Sequence, residues 1–427
     1  MKIIKLNNKH SHIKLKNILD NRNTIRNEKL TLNVKNIINN VKINGDTALY
    51  KYAKKFDKIS VKRNQLKLNL NYKISNLSVD LNILKSFRLA IKNITKFHKL
   101  QYPSNIIKKE NNIILQSQWK AIDSVGLYVP GGKAFYPSSL IMNVVPAKIA
   151  GVKRIVCVTP PSKEINHYFL ALIKELKIDE VYFVGGAQAI AALAIGTKTI
   201  KPVNKIFGPG NAFVAEAKRQ LFGKVGIDLI AGPSEIVVVA NKNNNPKWVA
   251  SDLIAQAEHD ANAQSILITD NTKFADLVLL EVKKLSQLSQ KKQIIEKSLS
   301  TNGIVLIVNN INECSNVINE IAPEHLHIQI KSYKKLLSKI NNAGGIFLGE
   351  YSTEAFGDYI VGTNHVLPTS GAAKFSSGLG VLDFMKRNSI VQINSKSFDK
   401  LKQDTINMSS IEGLDAHKMS VKIRQKN

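Results

Sequence analysis

Apolar residues recur at helical spacing in three segments of the first 120 residues of the chain. Segments 33–41, 47–56 and 81–100 place apolar residues on one face and Lys-rich polar residues on the other, which predicts amphipathic helices. In the turn between the first two segments, Asp46 is the N-cap candidate for the helix that follows. The pattern therefore predicts a mainly helical N-terminal region.

From Ser124 onwards, short apolar runs alternate with helical patterns. The first four predicted strands begin at Val125, Arg154, Glu180 and Lys205. A second series of predicted strands covers residues 265–269, 303–308, 325–330 and 345–348. Strands and helices that alternate at these lengths are typical of parallel, helix-covered sheets. The sequence therefore predicts an α/β protein with two such units.

The composition is that of a soluble globular protein with more than one domain. The chain has 427 residues, of which 44% are hydrophobic and 22% charged. Its N-terminus lacks the apolar run of a secretory signal, and polar residues interrupt the most apolar stretch, residues 140–152. Cys157 and Cys314 lie far apart in sequence, as in proteins of a reducing compartment. We therefore expect a cytoplasmic protein without a membrane partner.

The net charge of +29 raises the question of a nucleic-acid partner. Lysine is spread along the chain together with Asn and Ile, notably in residues 1–120, 285–345 and 390–427. It is not gathered into one basic stripe with interleaved aromatic residues. A general drift of composition towards Lys, Asn and Ile explains this distribution better than a nucleic-acid site, so we expect no specific nucleic-acid partner.

Residues 251–260 predict a helix that carries two candidate metal ligands. Gln256 and His259 are three residues apart, so their side chains share one face of a helix. An amide oxygen and an imidazole can begin a metal site, but the ion needs two or more further ligands. A single histidine on a helix is more often a surface residue, so both interpretations stay open at this point.

Two segments further along the chain carry groups suited to catalysis or binding. Glu324 and His325 stand side by side at the start of a predicted strand, where they fit either an acid–base pair or a cap with a partly exposed histidine. Residues 354–369 lack helical and strand periodicity, which predicts a binding loop that contains Asp358 and His365.

Glycines follow several predicted strands and leave a cofactor site open as one of two interpretations. Gly208 and Gly210 are separated by a proline, and Phe213 stands where a dinucleotide fingerprint would have its third glycine. Glycines at strand ends permit either a close approach of phosphates or simply a tight turn.

Taken together, eight blocks in chain order make the sequence resemble the histidinol dehydrogenase family over nearly its whole length. The blocks are Tyr128-Val-Pro-Gly-Gly132, Val184-Gly-Gly-Ala-Gln188, Phe207-Gly-Pro-Gly-Asn211, Ala231-Gly-Pro-Ser-Glu235, Gln256-Ala-Glu-His-Asp260, Ala322-Pro-Glu-His325, Gly357-Asp-Tyr-Ile-Val-Gly-Thr-Asn-His365 and Glu412-Gly-Leu-Asp-Ala-His417. Their number and order, rather than any single motif, carry the resemblance.

The resemblance implies a metal site that is shared between the two subunits of a homodimer. The implied zinc ligands are Gln256, His259, Asp358 and, from the neighbouring subunit, His417. The substrate, L-histidinol, would be held by the zinc ligands together with Ser234, His325, His365 and Glu412. A ligand near the chain end fits a tail that reaches the other subunit.

The resemblance also implies an NAD-dependent oxidation of L-histidinol to L-histidine through the aldehyde, the last step of histidine biosynthesis. The residues that match the NAD site of the family are Tyr128, Gln188 and Asn211. His325 would act as the general base in both oxidations, and Glu324 would activate the water that adds to the aldehyde. Zinc would mainly orient the substrate.

The fold that the resemblance implies has two parallel-sheet, helix-covered, incompletely Rossmann-like domains, one inserted in the other. The expected units are a dimer-contacting segment (1–24), a larger domain with the zinc and catalytic residues (25–127 and 236–379), an inserted NAD-binding domain (128–235), and a C-terminal domain that reaches the partner subunit (380–427). Two other classes of function remain as alternatives. A zinc hydrolase leaves the Gly-rich strand ends unexplained, and a nucleic-acid-binding protein explains only the charge.

Overall fold

The computed structural model describes residues 1–20, 22, 28–131, 136–230 and 232–425. Gly132 and Ala231, named above, lie outside the described residues, as do the range bounds 24, 25 and 427. The strands are β1 (Lys2–Lys5), β2 (Ile106–Glu110), β3 (Ile113–Ala121), β4 (Ser124–Tyr128), β5 (Arg154–Thr159), β6 (Glu180–Phe183), β7 (Lys205–Phe207), β8 (Gly226–Ile227), β9 (Glu235–Val239), β10 (Gln264–Thr269), β11 (Ile304–Ile307), β12 (His325–Ile328), β13 (Gly345–Leu348) and β14 (Met385–Ile393).

Helices cover most of the remaining described chain, besides short 3-10 turns and one π-helical turn. They are α1 (Lys9–Asp20), α2 (Glu28–Asn44), α3 (Asp46–Tyr52), α4 (Leu81–Lys99), α5 (Pro137–Ala150), α6 (His167–Glu175), α7 (Gly186–Ile195), α8 (Ala212–Leu221), α9 (Pro246–Ala257), α10 (Thr272–Leu288), α11 (Lys292–Thr301), α12 (Ser315–Ile321), α13 (Tyr333–Leu337), α14 (Glu354–Tyr359), α15 (Ser395–Ile411) and α16 (Asp415–Lys422).

The larger sheet contains six parallel strands in the order β1-β11-β10-β9-β12-β13. Every residue of β9, β10 and β12 is buried, because helices cover both faces of the sheet. Val237 and Val239 face a core that α1, α12 and α13 complete, whereas Ile236 and Val238 face α9, α10 and α11. Because helices cover both faces, runs such as 236–240 and 304–307 are apolar without interruption in the sequence.

The second sheet contains five parallel strands in the order β6-β5-β4-β7-β8. Helices α5 and α6 belong to the core on one face, and α7 and α8 to the core on the other. The chain changes direction across the sheet between the neighbouring strands β4 and β7, which creates a topological switch point. The two parallel sheets confirm the predicted α/β fold class.

The third sheet is a small antiparallel one, in the order β14-β3-β2. The prediction of a mainly helical N-terminal region is wrong here, because β2 and β3 form a hairpin whose turn residues, Asn111 and Asn112, both have positive φ. All of β2 is exposed, so its sequence lacks the alternation of apolar and polar residues that predicts a strand. No helix among the described residues is both long and apolar enough for a membrane span.

Three local predictions need correction. Gly45, and not Asp46, is the N-cap of α3, and the Asp46 carboxylate instead accepts a hydrogen bond from Thr199 Oγ1 at 2.6 Å. The predicted helix over 251–260 ends at residue 257, so His259 lies in the turn that follows α9. The stretch 354–369 is not entirely loop, because α14 occupies its first turns.

Candidate active site

A glutamate and a histidine form a buried pair at the start of β12. Glu324 is 6% exposed and His325 4% exposed, and His325 Nδ1 lies 3.7 Å from Glu324 Oε2. Ala322, which ends α12 in the left-handed conformation, turns the chain before the strand. This turn leaves Glu324 outside the regular pleat, so that it reaches the same space as its neighbour. The alternative of a partly exposed cap histidine does not fit this burial.

The main chain at the start of β9 holds both members of the pair. The Glu235 N–H donates to Glu324 Oε2 at 2.8 Å, and the Glu235 carbonyl accepts from His325 Nδ1 at 3.1 Å. Because a carbonyl can only accept, this contact assigns the proton of a neutral His325 to Nδ1. The other ring nitrogen, Nε2, is buried and has no hydrogen-bond partner among the described residues.

Two carboxylates of α14 lie on the other side of the imidazole. Glu354 Oε1 is 3.7 Å from His325 Nδ1, and Asp358 Oδ1 is 3.7 Å from His325 Nε2. Residues four apart share a face of a helix, which brings both carboxylates to one ring. The sequence interpretation missed Glu354, because Gly357 made the segment look like a loop. A Glu and an Asp at helical spacing were the available signal.

The buried charges shift the proton affinities in this site strongly. Burial raises the pKa of Glu324 to about 8 and that of Glu354 to about 7. Burial alone would lower the pKa of His325, but Glu354, Glu324 and Asp358 raise it to about 10. Burial also opposes ionisation of Asp358, yet His325 lowers the pKa of that carboxyl. The neighbouring carboxylates therefore favour the charged form of His325.

Donor atoms suited to a metal ion converge beside this pair. One ligand atom each from His259, Glu354 and Asp358 lies within 4.8 Å of the others. Gln256 is fully buried at the end of α9, and with its amide nitrogen towards α14 it donates to Glu354 Oε1 at 3.0 Å. An imidazole with carboxylate and amide oxygens is a donor set that zinc accepts.

A cavity of about 760 Å³ opens next to the pair, and its lining includes His325, Asp358 and His365. His365 Nδ1 lies 3.0 Å from the carbonyl oxygen of Asp358, and burial lowers the pKa of its imidazole. Ser234, directly before β9, is half-buried and its carbonyl accepts from the N–H of Gln264 at 2.9 Å. His365 therefore lines the same cavity as His325, and Ser234 directly precedes Glu235 at the start of β9.

Two predicted site residues lie apart from this cluster in the single chain. Glu412 follows α15 and His417 lies in α16, and both are exposed. No residue of α16 is buried, and even the apolar Met419 on this helix is 58% exposed. Within one chain, the structure does not bring the tail to the other site residues.

The three predicted NAD residues lie at the carboxyl ends of the strands in the five-stranded sheet. Tyr128 ends β4 and its hydroxyl accepts from the Gly186 N–H at 3.2 Å, at the start of α7. Gln188 is 2% exposed, and its Oε1 has no hydrogen-bond partner among the described residues. Asn211 caps α8 by accepting from the Phe213 N–H at 3.0 Å.

A glycine permits the close approach of β4 and β7 at this switch point. Gly208 has φ +107°, and a Cβ at this position would lie 2.1 Å from the Tyr128 carbonyl oxygen. Any other residue would force β7 and the loop that leads to Asn211 away from β4. In open α/β sheets, ligands bind at such switch points, on the carboxyl side of the strands.

Comparisons with known proteins agree with one another. A family model described as histidinol dehydrogenase matches residues 20–425. The chain is 46% identical over 400 residues to histidinol dehydrogenase of Agrobacterium fabrum, covering 93% of each protein. It is 47% identical over 392 residues to the Rhodospirillum rubrum protein of the same name, covering 91% of this chain and 90% of that protein. A crystal structure of histidinol dehydrogenase from Elizabethkingia anophelis superposes with a TM-score of 0.92 at 33% identity, over 99% of this chain and 98% of that one.

Proposed function

The chain belongs to the histidinol dehydrogenase family, and we propose that it oxidises L-histidinol to L-histidine through the aldehyde, with two NAD and one water. Each oxidation removes a hydride and a proton, and one water adds to the aldehyde between the two oxidations. The observation that carries the proposal is the buried Glu324–His325 pair beside the cavity. It offers one proton acceptor for the alcohol and a second for the water.

The proposed metal site uses Gln256, His259 and Asp358 of one subunit and His417 of the partner subunit. The donors present in the single chain fit zinc, because an imidazole, a carboxylate and a buried amide meet beside the cavity. Zinc, when bound, would orient the amino alcohol by accepting its nitrogen and oxygen as ligands. Glu354 supports the site by holding the Gln256 amide.

NAD would bind at the switch point of the five-stranded sheet, and when bound it accepts the hydride in each oxidation. Tyr128 and Asn211 flank the close approach of β4 and β7, and Gln188 opens the first turn of α7. The unpartnered Gln188 oxygen supports a ligand at this place, because a buried acceptor without a donor costs free energy. Asn211 uses its oxygen to cap α8, so only its amide N–H groups remain for the cofactor.

His325 would take the alcohol proton at Nε2, since Nδ1 is held by the Glu235 carbonyl. An imidazole accepts a proton only when it is neutral, and three nearby carboxylates favour the charged form. Engagement of Asp358 as a metal ligand would weaken this effect and favour the neutral imidazole, whose Nε2 can accept a proton. Ser234, His365 and Glu412 of the substrate site would then hold the remaining polar groups of L-histidinol.

Glu324 would remove a proton from the water that adds to the aldehyde. Its pKa of about 8, raised by burial, places it close to the pH at which a general base is most effective. The Glu235 N–H fixes one carboxylate oxygen and leaves the other available for water. His325 would accept the proton of the hydrated aldehyde in the second oxidation.

Two features support a homodimer with shared sites. The C-terminal helices expose apolar residues that a partner subunit would cover, including Met408, Ile411 and Ile423 at 66%, 89% and 73% exposure. The metal cluster of the single chain also lacks the proposed fourth ligand, which an exposed α16 can supply only to another chain.

The division of the chain into domains is also a proposal. The pairing of β1 with β11 supports a larger domain that receives the N-terminal segment, and the sheet of β4 to β8 supports the inserted unit. Packing of α2 against α7 and α8 argues that residues 28–44 belong with the inserted sheet instead.

Purified, zinc-loaded protein tests the proposed function directly. With L-histidinol and NAD, it should form L-histidine and NADH, and removal of zinc by a chelator should stop both. Absence of NADH from the zinc-loaded protein would refute the proposal. Hydrolysis of a substrate without NAD would favour a zinc hydrolase.

A further inference from the structure

We propose that Arg22 is a positioning residue that holds Glu324 and His325 in their reactive arrangement by anchoring Glu235. The proposal rests on the proposed function, because it assigns a role towards the pair named there. Arg22 lies in the N-terminal part of the chain, outside the eight blocks, and touches neither member of the pair.

Glu235 is the residue through which both members of the pair are held. Its N–H donates to Glu324 at 2.8 Å and its carbonyl accepts from His325 at 3.1 Å, so a shift of the main chain at this one residue moves both groups. A displacement of about 1 Å at a reacting group costs a rate factor of about 100. The position of the Glu235 main chain is therefore as important for the reaction as the two side chains.

Arg22 holds Glu235 through its side chain, whereas the pair contacts its main chain. Its Nη1 lies 2.8 Å from Glu235 Oε1, its Nη2 donates to the Ile321 carbonyl at 3.0 Å, and its Nε donates to the Leu19 carbonyl at 3.3 Å. Ile321 ends α12, three residues before Glu324. The guanidinium therefore ties the start of β9, which holds the pair, and the turn before β12, which leads to the pair, to the end of α1.

The charge of Arg22 is needed because Glu235 is only 3% exposed. Burial opposes ionisation of the Glu235 carboxyl, and the neighbouring guanidinium acts in the opposite direction. Without Arg22, the carboxylate would have to take up a proton or move towards water, and the attached main chain would move with it. Lysine would carry the charge, but one ammonium group lacks the planar fork that spans three acceptors.

Removal of Arg22 should separate turnover from ligand binding. The acceptors of its hydrogen bonds belong to Leu19, Glu235 and Ile321, none of which is a proposed zinc or NAD ligand. We expect Arg22→Ala to bind stoichiometric zinc and to keep the KM for NAD, while kcat falls about 10- to 100-fold. Methylguanidinium, which fits the vacated space, should raise the kcat of Arg22→Ala severalfold towards the wild-type value.

The matched control is Arg154→Ala. Arg154 also binds a glutamate, Glu180, at 2.7 Å and two main-chain carbonyls, but it lies in the five-stranded sheet away from the pair. We expect near wild-type turnover for this variant and no response to methylguanidinium. A folded Arg22→Ala protein with kcat within about twofold of wild type would overturn the proposal.

Two further measurements test the proposal if Arg22→Ala does not fold or if the protein does not oxidise L-histidinol. Arg22→Gln combined with Glu235→Gln removes both buried charges, so it should fold, and it should still show the reduced kcat. In ¹⁵N-histidine-labelled protein, the His325 Nδ1–H signal, identified by its loss in His325→Asn, should shift or broaden in the Arg22 variants and not in Arg154→Ala. This readout needs no activity, so an unchanged signal would contradict the positioning role even if the proposed reaction itself were wrong.

Discussion

Replacement of Glu324 by Gln isolates the chemistry of one carboxylate while preserving its shape. The Gln oxygen can still accept the hydrogen bond from the Glu235 N–H, which Glu324 Oε2 accepts at 2.8 Å. The side chain is 6% exposed and keeps its volume, so we expect the variant to fold. The ability to remove a proton from water is lost, and His325 loses one of the carboxylates that raise its pKa.

The size of the effect follows from the role of a general base. Proton removal by a positioned base contributes a rate factor of about 10² to 10⁴, or about 3 to 5 kcal/mol of activation free energy. We expect Glu324→Gln to slow aldehyde oxidation by this factor. Alcohol oxidation, in which His325 receives the proton, should slow by less than about tenfold.

The assay compares NADH formation from L-histidinol in a single turnover with NADH formation from the aldehyde. Glu320→Gln serves as a control, because Glu320 lies in α12 close in sequence and has no part in the proposed chemistry. If both oxidations slow by the same factor, the division of labour between Glu324 and His325 is incorrect.

Four further predictions concern His325, the shared metal site, the pKa of Glu324 and the two cysteines. His325→Ala should retain zinc and lose all but about 10⁻² to 10⁻⁴ of its turnover, and unchanged turnover would remove His325 from the mechanism. Mixing His417→Ala with Gln256→Ala subunits should restore about a quarter of wild-type activity, since half of the randomly formed dimers would hold one intact site of two; no recovery would argue against shared sites. The pKa of Glu324 is 4.5 in a model peptide and about 8 in the folded chain, so its stabilising effect is complete below pH 4.5 and is lost as the pH rises through about 8. The free energy of unfolding of the zinc-free protein, measured with urea, should therefore fall less steeply over this range in Glu324→Gln, and equal slopes would contradict the raised pKa. Burial raises the pKa of Cys157 and Cys314 to about 12, so an alkylating reagent at about pH 8 should leave the native protein unmodified and active.

The sequence predicted the parallel sheets well because their strands are buried on both faces. Runs such as 236–240 contain no polar residue, and the helices between the strands have the expected lengths. The exposed strand β2 gave no such pattern, because neither of its faces is buried. Strands of this chain were therefore predictable from the sequence where both of their faces are buried.

The sequence predicted residues of the candidate site, but it predicted their hydrogen bonds and positions on helices less well. The pairing of Glu324 with His325 followed from their adjacency, but the supporting bonds from Glu235 depend on two strands that are distant in sequence. Glu354 was missed because a glycine concealed a short helix, and His259 was assigned to a helix that ends two residues earlier. Contacts made by tertiary packing have no local signature in the sequence.

We infer that one buried acid–base pair carries out both oxidations of L-histidinol. This inference is tested by the ratio of NADH to L-histidine that the zinc-loaded protein forms at complete conversion. We expect two NADH for each L-histidine, without accumulation of free aldehyde. One NADH per substrate with the aldehyde as the final product would contradict it.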